Sequence, residues 1–127
     1  MQPEAQLWWR QAQADLKTAA DNIQTENYYA CVFFVHQAVE KSLKATIIES
    51  KRILPPRTHS LLELGQELEV PAEFLTFFRE LTLDYVTTRD PDAANGVPAD
   101  LYDQVIAQRL LDQARKVIIW LESVITS

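Results

Sequence analysis

Between Tyr28 and Glu49 the chain reads YYACVFFVHQAVEKSLKATIIE, a run that is apolar on more than one side. It is long enough for about six helical turns at 3.6 residues per turn. Val32, Val35, Val39, Leu43 and Ile47 recur at helical spacing and predict one buried stripe. Cys31, Phe34, Ala38 and Ala45 form a second stripe, roughly a quarter to a third of a turn away at about 100° per residue. A helix apolar on two sides belongs at the centre of a bundle, touching several neighbours. Gln37, Glu40, Lys41 and Lys44 fill the remaining arc beside Phe33. Buried polar groups need partners, so this band is solvated, satisfied by neighbouring helices, or a site.

The rest of the pattern is helical as well. Only two glycines occur, Gly65 and Gly96, and no segment alternates with a period of two. A first helix is expected from about Pro3 to Asn22 or Ile23, with Leu7, Ala12, Leu16, Ala19, Ala20 and Ile23 on its inner side. Gln24–Asn27 forms the turn, with Asn27 or Thr25 positioned to cap the second helix. Pro55 and Pro56 make Ile53–Arg57 an extended connector. Ser60-Leu61-Leu62-Glu63 has the spacing of a capping box and opens a third helix, with Leu61, Leu62, Leu64 and Leu68 facing inward. Val70-Pro71 breaks it, and a fourth helix carries Phe74, Leu75, Phe78, Leu81, Leu83 and Tyr85 to about Thr88. Arg89–Pro98 reads as irregular, with two prolines and an Asn-Gly turn. A last helix runs from Ala99 or Asp100 to Val124, with Leu101, Val105, Leu110, Leu111, Ala114, Val117, Ile118, Leu121, Val124 and Ile125 in phase. The expected fold is all-α: an antiparallel up-and-down bundle of about five helices, three long and two short.

Length and charge narrow the class. The 127 residues suit a single domain spanning 1–127 that needs neither disulfide nor metal to fold. The lone Cys31 lies in the apolar helix and reads as a small core residue in a reducing compartment. No apolar run reaches the roughly 20 residues of a membrane span, and the start is polar, so a cytoplasmic location is expected. A net charge of −6 argues against a broad nucleic-acid surface, while leaving room for a small basic pocket.

Candidate chemistry is sparse. His36 and His59 are the only histidines, no HExxH or CxxC pairing exists, and no metal site is expected. A Gly-x-Ser-x-Gly elbow is also absent. His36 falls on the apolar side of the second helix and reads as a core histidine with one hydrogen bond. His59 stands before the capping box, either at an anion-friendly helix entrance or as a staple for the entering chain. Glu40 and Lys44 are spaced for a helical ion pair. Tyr85 and Arg89, four apart, suit a phosphate or a base, unless Arg89 pairs with Asp90 or Asp92 and pins the loop.

Several of these strings together resemble the HEPN domain family, named for nucleotide binding in higher eukaryotes and prokaryotes. They are Ala12-Gln13-Ala14-Asp15-Leu16, His36 through Ala45 (HQAVEKSLKA), Thr58-His59-Ser60-Leu61, and Tyr85-x-x-x-Arg89 with Pro91-Asp92. The resemblance covers nearly the whole chain in order. It implies a bundle of about five helices, a homodimer, and a separate minimal nucleotidyltransferase as partner in toxin–antitoxin or related modules. Many members are metal-independent ribonucleases using Arg-x(4–6)-His. Arg89 fits the start of that motif, but Ala94, Asn95 and Gly96 stand where its histidine belongs. Without an imidazole there, no group at those positions titrates near neutrality.

The expectation is therefore a helical subunit, without strong catalysis and without a cofactor, that binds a nucleotide or RNA, or its nucleotidyltransferase partner. The residues expected at that site are Glu40, Lys41, Lys44, Tyr85, Arg89 and Asp90. The alternatives are a toxin-like ribonuclease, with Arg89 and His59 or His36 as catalytic candidates, and a purely structural interaction module.

Overall fold

In the computed structural model, which describes all of residues 1–127, the chain forms six α-helices and a single 3-10 turn, with no strand. They are α1 (Pro3–Gln24), α2 (Tyr28–Lys51), α3 (Leu61–Glu67), α4 (Ala72–Thr87), α5 (Pro91–Ala94), the 3-10 turn (Pro98–Leu101) and α6 (Gln104–Thr126). The three long elements and the all-α bundle agree with the reading of the apolar pattern. None of the helices is long and apolar enough to cross a membrane.

Helix α2 is central because both of its apolar stripes are covered. It packs on α1, α3, α4, α6 and the 3-10 turn. Val32, Val35, Val39, Leu43 and Ile47 are all fully buried, as are Cys31, Ala38 and Ala45. Burial pushes the Cys31 thiol up to about 11, so it stays protonated and acts as a small apolar filler. The α1–α2 pair is the most extensive in the fold. Small, fully buried residues repeat every seven positions on both helices, Ala5, Ala12 and Ala19 on one and Cys31, Ala38 and Ala45 on the other. Side chains of that size let helix axes approach closely.

Local chemistry adjusts several boundaries. Leu7, expected to face inward, is 62% exposed. At about 100° per residue it lies some 140° round the helix from Ala12, off the narrow face that α1 presents. Asn27 makes no side-chain cap; its amide instead donates to Thr25 Oγ1 at 2.9 Å. Half of the expected capping box forms: Ser60 Oγ accepts from the Glu63 amide at 3.2 Å, while the Ser60 amide donates to Thr58 Oγ1 at 3.0 Å. The stretch after Arg89 is less irregular than expected. Asp90 caps α5 by accepting from the Asp92 amide at 2.8 Å, and Pro91 occupies the first helical position. The last helix starts at Gln104 rather than Ala99 or Asp100, because Asp103 caps it through the Ile106 amide at 2.8 Å. Leu101 and Val105 accordingly point out, the latter 75% exposed.

Short α3 lies tight against α4. A Cβ added at Gly65 would stand 2.8 Å from Phe78 Cε2 and 3.1 Å from Val70 Cγ2, so glycine is required by close approach, not by an unusual φ. Phe78 is fully buried and cannot yield. This contact sets the distance between α4 and the connector that precedes α3.

Candidate functional site

The polar band of α2 divides into two parts. Toward α1, Lys41 Nζ donates to Asp15 Oδ2 at 2.5 Å, and Gln11 Nε2 donates to Asp15 Oδ1 at 3.0 Å. One turn on, Lys44 Nζ donates to Glu40 Oε2 at 3.2 Å and lies 5.2 Å from the Trp8 ring. Asp15, Glu40 and Lys44 are buried. A solvated face is thereby excluded for Glu40 and Lys44, and the band is satisfied mainly within the fold. Buried charges of this kind persist only when paired and hydrogen-bonded.

On its other side Glu40 reaches His59. The His59 Nδ1 lies 3.0 and 3.1 Å from the two carboxylate oxygens. An ionised carboxylate only accepts, so Nδ1 carries the proton and Nε2 is the ring's free nitrogen. The imidazole itself is 72% exposed. Its helix-side neighbour Ser60 caps α3, which fixes the backbone from which His59 projects.

Opposite stands α4. Thr82, Tyr85, Val86 and Arg89 follow the i, i+3, i+4, i+7 spacing of one helical face. The helix ends at Thr87, but Thr88 keeps helical angles, and the Arg89 amide donates to Val86 O at 3.1 Å. Arg89 therefore stays on the Tyr85 face. Its Nε donates to Tyr85 O at 3.0 Å and its guanidinium carbon lies 4.0 Å from the Tyr85 ring centroid. No carboxylate approaches it within ion-pairing distance: the alternative, a pairing with Asp90 or Asp92, does not form. Asp90 is spent on its capping bond and stands apart from the cleft lining.

Tyr85 is the hub of the cluster. His36 meets its ring edge-on at 4.1 Å between centroids, His59 stacks at 5.9 Å, and Phe33 lies at 6.1 Å. His36 is buried, with Nδ1 3.4 Å from Gln37 Oε1. Burial is the main cause of its pKa falling to about 4, against a smaller opposing pull from Glu40. It is a neutral ring at physiological pH, in keeping with its reading as a core histidine. Together His36, His59, Ser60, Thr82, Tyr85, Val86 and Arg89 line an open cleft of about 440 Å³. Lys41 and Lys44, expected beside Tyr85 and Arg89, lie on the α1 side of Glu40 and do not line it.

Below the cleft, Tyr102 Oη donates to Asp84 Oδ1 at 2.8 Å, tying the chain before α6 to α4. Burial raises the Asp84 carboxyl, and burial with the Asp84 contact raises the Tyr102 phenol. No group of three or more His, Cys, Asp or Glu side chains converges anywhere. Thr82 and Asp15 were not singled out from the sequence for the site; the i, i+3 step from Thr82 to Tyr85 is the signal that could have found the first.

Comparison with known proteins bears on the fold and the family. A model of the HEPN domain matches residues 5–124. The chain is similar to TT1696 from Thermus thermophilus, with a TM-score of 0.87 and 28% identity, covering 97% of this chain and 99% of that one. It is also similar to ST0689, an archaeal HEPN homologue, with a TM-score of 0.82 and 25% identity over 95% and 97% of the two chains. No curated protein matches.

Proposed function

This chain belongs to the HEPN domain family, and from that premise we propose that it is a helical binding subunit whose Tyr85–Arg89 cleft receives a nucleotide or an RNA phosphate. The observation that carries the reading is Arg89: a guanidinium at the cleft, backed by an aromatic ring and without a carboxylate partner. With Nε held by the Tyr85 carbonyl, its two terminal nitrogens form the fork that suits phosphate oxygens. His59 adds a ring nitrogen from across the cleft, and Glu40 positions it. Lys41 and Lys44 act beneath this surface by balancing Asp15 and Glu40.

The same proposal includes a homodimer and a separate minimal nucleotidyltransferase chain as partner. Support for a protein partner comes from Leu83 and Val86, exposed apolar residues three apart on α4, the second of them in the cleft lining. Thermal shift against a nucleotide panel tests the ligand half. Wild type should gain about 2.7 kcal/mol at a hundredfold excess over Kd, and Arg89→Ala should gain far less. No stabilisation of wild type by any nucleotide, or equal stabilisation of both proteins, would overturn it.

A second reading, a metal-independent ribonuclease, is favoured by one feature: His59 and Arg89 line the same cleft although they are far apart in sequence. His59 would then serve in place of the histidine missing after Arg89. Cleavage of RNA by purified protein, abolished in both His59→Ala and Arg89→Ala, is the expected result. Cleavage that survives both substitutions, or no cleavage by wild type, sinks this reading.

A further inference from the structure

Resting on the cleft as a nucleotide site, we infer that it reads a single phosphate group and is indifferent to the base attached to it. The charge available comes first. Arg89 is the only lysine or arginine in the lining. Lys41 and Lys44, the lysines of the α2 polar band, are held by the buried carboxylates of Asp15 and Glu40 respectively. One guanidinium fork satisfies one phosphate. A triphosphate brings further negative oxygens, which proteins ordinarily meet with a lysine and a run of backbone amides. The lining supplies no such lysine, and the chain carries a net charge of −6 that repels the excess.

Base discrimination fails for a different reason. Reading the edge of a base requires donors and acceptors placed in pairs, as amide and carboxylate side chains provide. The lining contains no Asn, Gln, Asp or Glu. Its two aliphatic hydroxyls are each partly engaged, which leaves single contact points and not a fixed donor–acceptor pair: Ser60 Oγ accepts from the Glu63 amide, and Thr82 Oγ1 donates its proton to Phe78 O at 2.7 Å. His36 is buried against Tyr85. What remains for a base is ring surface, chiefly the exposed imidazole of His59 stacked on Tyr85, with isolated polar points at the Tyr85 phenol and His59 Nε2 in place of a side-chain amide or carboxylate. Every base has a π-face, so stacking is tolerant of sequence.

Titration calorimetry on the full chain with adenosine, the four ribonucleoside monophosphates and ATP tests both halves. The four monophosphates should bind within about fivefold of one another, as stacking without edge readout requires. ATP should gain no more than about fivefold over AMP, and adenosine should bind at least about tenfold more weakly than AMP. A larger spread among the monophosphates, a larger gain for ATP, or adenosine matching AMP overturns this inference while leaving the cleft a nucleotide site. Absence of binding by all six compounds overturns both together.

Discussion

Two polar regions share helix α2 and differ in how their charges end. On the α1 side, Asp15 meets Lys41 and Glu40 meets Lys44, with the Trp8 ring beside the last ammonium. That seam is closed: its charges face one another and little of them reaches water. On the α4 side, Arg89 has an aromatic backing and a carbonyl anchor but no counter-charge, and His59 keeps one nitrogen free. That cleft is open. Charge buried against charge holds helices in register, whereas charge displayed without a partner holds something else. Glu40 belongs to both regions, one carboxylate serving Lys44 behind and His59 in front.

The sharpest way to break the contrast is therefore at Glu40. Glu40→Gln leaves the Lys44 ammonium buried and unbalanced, and urea unfolding should register a loss of about 3–5 kcal/mol. A loss below about 1 kcal/mol would place the pair among solvated ones and erase the distinction.

Acid titration gives the next effect. The folded-state pKa of His36, about 4, lies below its ordinary 6.5, so the unfolded chain takes up the proton first as pH falls. Its contribution is whole above pH 6.5 and shrinks by about 3 kcal/mol on reaching pH 4. Asp84 acts in the opposite sense, because its carboxyl is raised in the fold and favours the folded state on the acid side. The clean observable is thus the stability of wild type minus that of His36→Leu, which should fall steadily from pH 6.5 to 4. A difference independent of pH would show His36 to be solvated.

The smallest effect belongs to the open region. Arg89→Ala removes an exposed cation–π contact and should cost only about 0.5–1 kcal/mol in unfolding free energy. A loss as large as that of Glu40→Gln would make Arg89 a structural residue and close the cleft as a candidate.

Much of this was legible residue by residue. The stripes of α2 announced a central helix, and the HQAVEKSLKA string with Thr58-His59-Ser60 and Tyr85-x-x-x-Arg89 announced the family. The start of α6 was misplaced because Leu101 and Val105, four apart, extend the apolar run toward Leu110 and Leu111. At about 100° per residue they fall well off the face that carries that pair, and an apolar run cannot show Asp103 taking the cap. Helix α5 was hidden by two prolines, one of which fits a first helical turn. The decisive pairings were beyond any local window: Lys41–Asp15 spans 26 positions and His59–Glu40 spans 19. Lysines at helical spacing look alike whether they face water or a buried carboxylate on another helix.

Gly65 makes a point about tolerance to substitution. Alanine is the better helix former by about 1 kcal/mol, so local preference alone would select it. Here it would collide with the Phe78 ring and with Val70. Relief would have to come from moving α3 outward, carrying Ser60 and His59 with it and away from Tyr85. The span across which an imidazole and a guanidinium face one another is thus gauged by a methyl group the chain does without, at a position that lines neither side of the cleft.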